Sequence, residues 1–224
     1  LVLTHPHPDH LDGLVAVARN FRIGEFWEGP AAANEGLYAE LLHALRPEVV
    51  RRHIGRGDRF WEGAVALDVL HPRLEAAAGP AANEDSLVIR MTLGKASFLF
   101  MGDTGAATER ALLDSGVELG ATVLKAGHHG SAGSTTPEFL TAVHPDLVLV
   151  SAGQGNTYGF PSRDVLARCL GAGAEVLRTD LDGAIEIRTD GQSLRARRAV
   201  SRDRAKEPDF GLTRATKSMI IDLD

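Results

Sequence analysis

Leu1-Val2-Leu3-Thr4-His5-Pro6-His7-Pro8-Asp9-His10-Leu11-Asp12-Gly13 opens the chain, an apolar run that ends in four potential metal ligands within six residues. A turn at a strand end lets alternate side chains face the same side. The imidazoles of His5, His7 and His10 and the carboxylate of Asp9 are therefore expected to converge on one point. Imidazole nitrogen and carboxylate oxygen together suit zinc, manganese or iron. The competing explanation is a polar surface turn, but chance seldom puts three His and one Asp in such a window.

Composition sets the frame around this motif. A chain of 224 residues, 44% of them apolar, is long enough to bury a real core and corresponds to about one to one and a half ordinary domains. It contains no apolar run of eighteen residues, so no transmembrane helix is expected. The absence of an initiating Met and of a basic leader reads as a fragment, with part of the domain expected upstream. The single cysteine, Cys169, excludes an internal disulfide framework and a multi-cysteine zinc cluster, and its apolar surroundings predict a buried structural thiol. A net charge of -6 argues against coating nucleic acid by bulk electrostatics. Two local basic stretches run against that balance: Arg46, Arg51, Arg52, Arg56 and Arg59, and Arg195, Arg197, Arg198, Arg202, Arg204 and Lys206. Each reads either as a solvated face or as a phosphate track.

Short apolar runs alternate with amphipathic ones, which is an α/β pattern. Leu11 to Phe21 reads as a helix capped by Asp9 or Asp12, Ile23 to Trp27 as a strand, and Leu37, Tyr38, Leu41, Leu42 and Leu45 as the core stripe of a helix capped by Asn34. Strands follow at Val49 to Ile54 and Ala64 to Leu70, with a loop at Ala76 to Pro80. A hairpin of Leu87 to Leu93 and Ala96 to Met101 turns at Gly94-Lys95. Thr104 is expected to cap a helix through Leu113. Strands at Ala121 to Lys125 and Leu147 to Val150 alternate with helices at Pro137 to Val143 and Ser162 to Leu170. Short strands at Glu175 to Thr179, Ala184 to Arg188 and Ser193 to Arg198 close the domain, taken as residues 1–200. Residues 201–224 read as a charged, mobile tail in which only Met219 to Leu223 regains a strand pattern.

Two later sites repeat the opening design. Phe98-Leu99-Phe100-Met101-Gly102-Asp103 ends a buried strand in a carboxylate, and Gly102 permits the close backbone approach that a cation-bridging Asp103 requires. Capping of the next helix is the alternative role for Asp103. Val123-Leu124-Lys125-Ala126-Gly127-His128-His129-Gly130-Ser131 places paired imidazoles at another strand end. Buried imidazoles need partners, so such a pair points to a ligand or catalytic role.

In this order and spacing, His-x-His-x-Asp-His, Gly-Asp and His-His-Gly-Ser resemble the metallo-β-lactamase superfamily. Asn83-Glu84-Asp85-Ser86-Leu87-Val88, Leu124 to Ser131, Gly155-Asn156-Thr157-Tyr158-Gly159 and Arg178-Thr179-Asp180-Leu181-Asp182-Gly183-Ala184 together are similar to the C-terminal metallohydrolase domain of the ComEC family of bacterial DNA-uptake proteins. The resemblance spans about Leu1 to Gly191. It implies a four-layer αββα sandwich that here lacks its usual N-terminal strands. It also implies two divalent metal ions, zinc or manganese: His5 and His7 on one, Asp9, His10 and His129 on the other, and Asp103 bridging. His128 is left to touch the phosphate or donate a proton, and Asp9 to orient the attacking hydroxide or shuttle its proton. Such a metal pair lowers the pKa of a bound water toward neutrality.

The chain departs from the superfamily pattern in three places. The third histidine of the first metal is replaced by Asn83, a weak ligand, with His71 as a possible substitute or as a structural residue. Phe160 followed by Pro161 stands where the family tends to have histidine after its Tyr-Gly pair. The strands and supporting aspartate that precede the His-rich motif are missing, and Lys217 to Asp222 resembles one such strand by pattern.

The leading functional expectation is a metal-dependent phosphodiesterase, a nuclease acting on single-stranded DNA during competence DNA uptake. It would lie on the extracytoplasmic face of a membrane channel protein if the parent is ComEC-like, and in the cytoplasm otherwise. The alternatives are a free-standing hydrolase of small esters, lactones or phosphocholine, and a non-catalytic module with a metal site. The low aromatic content, 5%, leaves few stacking platforms for single strands.

Overall fold

The opening motif hangs from the edge of a small parallel sheet, β1 (Val2–Leu3), β2 (Glu25–Glu28) and β3 (Val50–His53), in sequence order. The structure is a computed structural model describing residues 1–30, 35–74 and 83–200, together with the backbone of 209–210 and 221–222. Parallel neighbours need crossovers, and α1 (Pro8–Asn20) and α2 (Glu35–Ala44) supply them. Pro8 suits the start of α1, where its missing N–H costs nothing. Leu11, Val15 and Ala18 recur at helical spacing and bury against Leu3, Phe26 and Leu41.

A larger sheet is made by β4 (Arg59–Glu62), β5 (Val65–His71), β6 (Val88–Leu93), β7 (Ala96–Phe100), β8 (Val123–Lys125), β9 (Leu147–Val150) and β10 (Glu175–Arg178), in spatial order β10-β9-β8-β7-β6-β5-β4. Pairing is antiparallel from β4 to β7 and parallel from β7 to β10. One face, with Val88, Leu99, Leu124 and Val148, packs on α3 (Ala106–Asp114), α4 (Pro137–Val143) and α5 (Arg163–Gly171) through Leu112, Phe139, Leu140, Val165 and Cys169. The thiol of Cys169 is buried, as expected.

The other face meets two sheets. Met91, Phe98, Val123 and Leu149 pack on Ile185, Ile187, Leu194 and Ala196 of β11 (Ile185–Thr189) and β12 (Leu194–Arg198), which follow the single turn α6 (Thr179–Asp182). Val69, Leu87 and Ile89 pack on Ile54, with Val2 and Trp27 beside them. The layers therefore run helix, sheet, sheet, helix, the αββα sandwich expected.

Several local readings change. β4 carries Arg59 and Glu62 and is mostly exposed, so its edge position hid it from a search for apolar alternation. Thr104 does not cap α3, because its Oγ1 donates to the Met101 carbonyl and the helix starts after Gly105. Neither Asp9 nor Asp12 caps α1; the cap position is His7 and no side chain bonds there. Asn34 and Ala76 to Pro80 lie outside the described residues, as do 201–208 and 211–220 of the expected tail. Ile221–Asp222, inside the expected Met219 to Leu223 strand, forms β14 and pairs antiparallel with β11 (Ile187 opposite Ile221). That places it on the edge of the β11–β12 sheet, while Asp209–Phe210, β13, pairs with β12 on the opposite side.

Candidate metal centre

Because β5, β7, β8 and β9 run the same way, their C-terminal ends reach one rim of the large sheet. The Leu87 amide donates to the Thr4 carbonyl at 2.9 Å, which fastens the turn after β1 to that rim. His5 and His10 then face Asp103 after β7, and His129 after β8. One ligand atom each from Asp9, His10, Asp103 and His129 falls within 4.8 Å of all the others. His10 Nε2 is 3.2 Å from Asp103 Oδ1, and His129 Nε2 is 3.3 Å from Asp103 Oδ2 and 3.2 Å from Asp9 Oδ2. His5 Nε2 lies 3.9 Å from Asp103 Oδ2, and the His7 ring stands edge-on to His5 with centroids 4.5 Å apart.

Each imidazole is aimed from behind. His129 Nδ1–H donates to the Ser151 carbonyl at 2.9 Å, which leaves Nε2 for the cleft. The Thr4 hydroxyl sits 3.3 Å from His5 Nδ1 and 3.5 Å from His10 Nδ1; with those nitrogens protonated it accepts, and both Nε2 atoms carry free lone pairs. This is the outer support that metal-ligating histidines use. His128 and His129 both adopt left-handed backbone, φ 46 and 53, a conformation uncommon outside glycine. Gly127 immediately before them cannot carry a Cβ, which would collide with the Thr104 carbonyl.

Asp103 is fixed as tightly. Its amide donates to Ser86 Oγ at 3.1 Å, and the Ser86 hydroxyl donates to the Asn83 carbonyl at 2.7 Å. A Cβ on Gly102, φ 53, would stand 2.6 Å from Ser86 Cβ, so the glycine is required for this approach. Glu84 caps the start of α3: Oε1 accepts from the Gly105 amide at 3.0 Å and Oε2 from the Thr108 amide at 3.1 Å.

The electrostatics follow from this packing. Burial opposes ionisation of Asp103, but hydrogen bonds and charges from His10 and His129 overcome it and hold the carboxyl far below its ordinary range. Hydrogen bonding to Asp103 in turn raises the His129 imidazole against its own burial. Burial, reinforced by His10, pushes His5 down to about 4, so His5 is a neutral donor at pH 7. His5 Nε2, His10 Nε2 and Asp103 Oδ1 are buried without a well-formed hydrogen bond. Unpaired buried polar atoms are costly. Three of them converging with an exposed carboxylate, Asp9, whose side chain is 59% accessible, is what a cation site requires, and the donor set fits a divalent ion.

The metallo-beta-lactamase superfamily matches residues 1–154, well over half of the chain. The chain belongs to that superfamily. It is also similar to competence proteins: 32% identical over 189 residues to ComE operon protein 3 of Bacillus subtilis (strain 168), and 33% identical over 190 residues to competence protein ComA of Neisseria gonorrhoeae. Each alignment covers 84% of this chain but only 24% and 25% of the relative, so the chain spans about a quarter of their length. In structure it is similar to CmlA, a diiron beta-hydroxylase from Streptomyces venezuelae, with a TM-score of 0.52 and 15% identity over 80% of this chain and 43% of that one. That likeness concerns the fold.

Around the shared superfamily motifs, the structure separates the two residues weighed for the vacant third-ligand position. His71 Nε2 donates to the Glu84 carbonyl at 2.7 Å, which is structural. Asn83 Nδ2 is 3.2 Å from His128 Nε2, while its Oδ1 is buried and unpaired. His128 thus stands beside the cluster, turned toward Asn83, and its ring edge meets Phe160 at 5.5 Å. Sequence reasoning assigned no role to Glu84, Ser86 or Ser151. The first two sit in the Asn83 to Val88 segment that carried the resemblance, whereas the Ser151 carbonyl leaves no side-chain signal.

The two basic stretches are partly consumed by ion pairs within this superfamily fold. Arg51 pairs with the buried Glu28, which also accepts from Tyr38, and Arg52 pairs with Glu25 and Arg59 with Asp68. Arg198 pairs with Glu175. Four of the eight described arginines in the two stretches are thus held by carboxylates of the fold itself. Among the described residues no helix is long and apolar enough to cross a membrane.

Proposed function

We propose that the chain is a metal-dependent phosphodiesterase that cleaves single-stranded DNA during competence DNA uptake, on the extracytoplasmic side of a membrane channel protein. The observation that carries the hydrolytic part is the convergence of Asp9, His10, Asp103 and His129 within 4.8 Å at an open rim. The similarity to competence proteins supports DNA as substrate. In this reading His5 and His7 would hold one divalent ion, zinc or manganese, Asp9, His10 and His129 would hold a second, and Asp103 would serve both. Bound there, the ions supply an activated water and neutralise the non-bridging phosphate oxygens.

The chain's own groups do the rest. Asp9, the solvent-facing carboxylate of the set, orients the attacking water and accepts its proton. With Asn83 donating to His128 Nε2, the His128 ring proton resides on Nδ1 and is free to contact a phosphate oxygen or the leaving group. Ser151 and Thr4 keep the imidazoles from rotating away as the phosphate enters, and Ser86 holds the Asp103 backbone in place.

The test is hydrolysis of labelled single-stranded DNA by the purified chain, metal-free and then with manganese or zinc, alongside Asp9→Asn. Metal-dependent cleavage that the variant loses while staying folded is the expected result. A folded protein that binds metal and cleaves no DNA reassigns the centre to small esters.

A further inference from the structure

The loop between β9 and α5 carries two of the few aromatic residues to the rim of the cluster. Tyr158 is 78% exposed and stacks on Phe160 with ring centroids 5.7 Å apart and planes 18° from parallel. Phe160 in turn meets the His128 ring edge-on at 5.5 Å. Tyr158 is the most exposed of the large hydrophobic side chains among the described residues.

The loop that presents the pair is braced. Asn156 Nδ2 donates to the Gly153 carbonyl at 2.9 Å and to the Phe160 carbonyl at 2.7 Å, and its Oδ1 accepts from the Phe160 amide at 3.0 Å. The Ser162 amide donates to the Gly130 carbonyl at 2.9 Å, which seats the loop on the His128-His129 turn. Rings held in place before binding spare a ligand the ordering cost.

We propose that the Tyr158–Phe160 stack is the platform for an unpaired nucleobase of a single strand whose scissile phosphate lies at the cluster. Two near-parallel rings offer one open, flat face, that of Tyr158, and a flat face receives a planar ring. A quaternary ammonium is instead held where several ring faces surround it, and that geometry is not present here. The open face lies two ring contacts from His128, so a base resting on Tyr158 belongs to the same strand whose phosphate lies at the cluster. Every base has a π-face, so the platform grips single strands without selecting sequence, and a duplex, whose bases are already stacked, does not reach it.

The inference rests on the DNA reading above, and the experiment separates the two. Binding of labelled, cleavage-resistant phosphorothioate 12-mers is followed by fluorescence anisotropy on manganese-loaded protein, comparing oligothymidylate with a backbone of equal length that lacks bases. The wild-type protein should prefer the thymine strand by about tenfold or more. Tyr158→Ala should erase that preference with binding of the abasic strand unchanged, and Tyr158→Trp should keep it. Equal wild-type affinity for the two strands, or an equal loss on both in Tyr158→Ala, overturns the platform and leaves the nuclease standing. Failure of the wild-type protein to bind either strand overturns both.

Discussion

The two halves of the candidate metal centre are built differently. On one side, Asp9, His10 and His129 close around Asp103 with every ligand atom within 4.8 Å, and His129 is locked from behind by the Ser151 carbonyl. On the other, His5 and His7 have only a more distant share of Asp103, 3.9 Å from His5, and the residue in the third position, Asn83, spends its amide on His128. Asp103 and His129 converge because parallel pairing of β7 and β8 finishes both strands at one rim, and Asp9 and His10 reach them from the first turn of α1. A donor that must come from a loop depends on that loop's own geometry. The His10–His129 side should therefore be the tight site and the His5–His7 side the weak one.

Breaking both sides at once gives the largest effect. Asp103→Asn removes the group common to both, and cleavage should fall by at least about 10³-fold, roughly 4 kcal/mol of transition-state stabilisation, with bound metal lost by elemental analysis. His129→Ala and His7→Ala then separate the sides. The first should abolish tight binding, and the second should leave one tightly held ion per chain. Equal loss in both variants would end the tight-and-weak distinction.

Support from behind the ligands comes next. Glu84→Ala uncaps α3 and frees the segment that pins Asp103 through Ser86. Metal affinity should drop by about 10- to 100-fold, and unfolding in denaturant should show about 1.5–3 kcal/mol less stability from the lost charged hydrogen bonds. Asn83→His sharpens the comparison in the opposite direction. A better donor at the third position should tighten the ion on the His5–His7 side, by about tenfold in isothermal titration, with the ion on the His10–His129 side unaffected.

The same contrast explains what could be read from the sequence. Each strand-end motif was legible because strand, glycine and ligand are consecutive: Phe98 to Asp103 and Val123 to His129 write their geometry locally, as does Leu1 to His10. The layers were legible from the alternation in β6, β7 and β8. Features made across long sequence separations were not. Glu84 reaching Gly105 and Thr108, and Ser151 holding His129 by a backbone oxygen, have no periodic or compositional mark. Thr104 has the chemistry of a helix cap and was displaced by the stronger, charged acceptor Glu84. The first arginine stretch could be read either as a solvated face or as a phosphate track because its partners Glu25, Glu28 and Asp68 lie on other strands and carry no mark in the local sequence.

The smallest effect is also the one that distinguishes the sides by protons alone. Metal ligation needs neutral imidazole, so a proton and a cation compete for the same nitrogen. His129 is raised above its ordinary value of 6.5 by its hydrogen bond to Asp103, and in the metal-free protein its stabilising contribution is complete below 6.5 and lost as pH rises through the raised value. Asp103, depressed from 3.8, contributes fully above 3.8, and that contribution disappears as pH falls through its depressed value; it is constant between pH 6 and 8. His5, at about 4, is neutral throughout that window and adds no competing proton. The stability that His129 contributes to the metal-free protein therefore declines between pH 6 and 8, while affinity at the His129 side rises, by at most about tenfold per pH unit for one displaced proton. The increase in Tm on adding manganese should be larger at pH 8 than at pH 6, and His129→Gln should flatten that difference. An increment independent of pH in the wild-type protein would mean that the proton on His129 does not compete with the ion, and that the tight site is assembled without it.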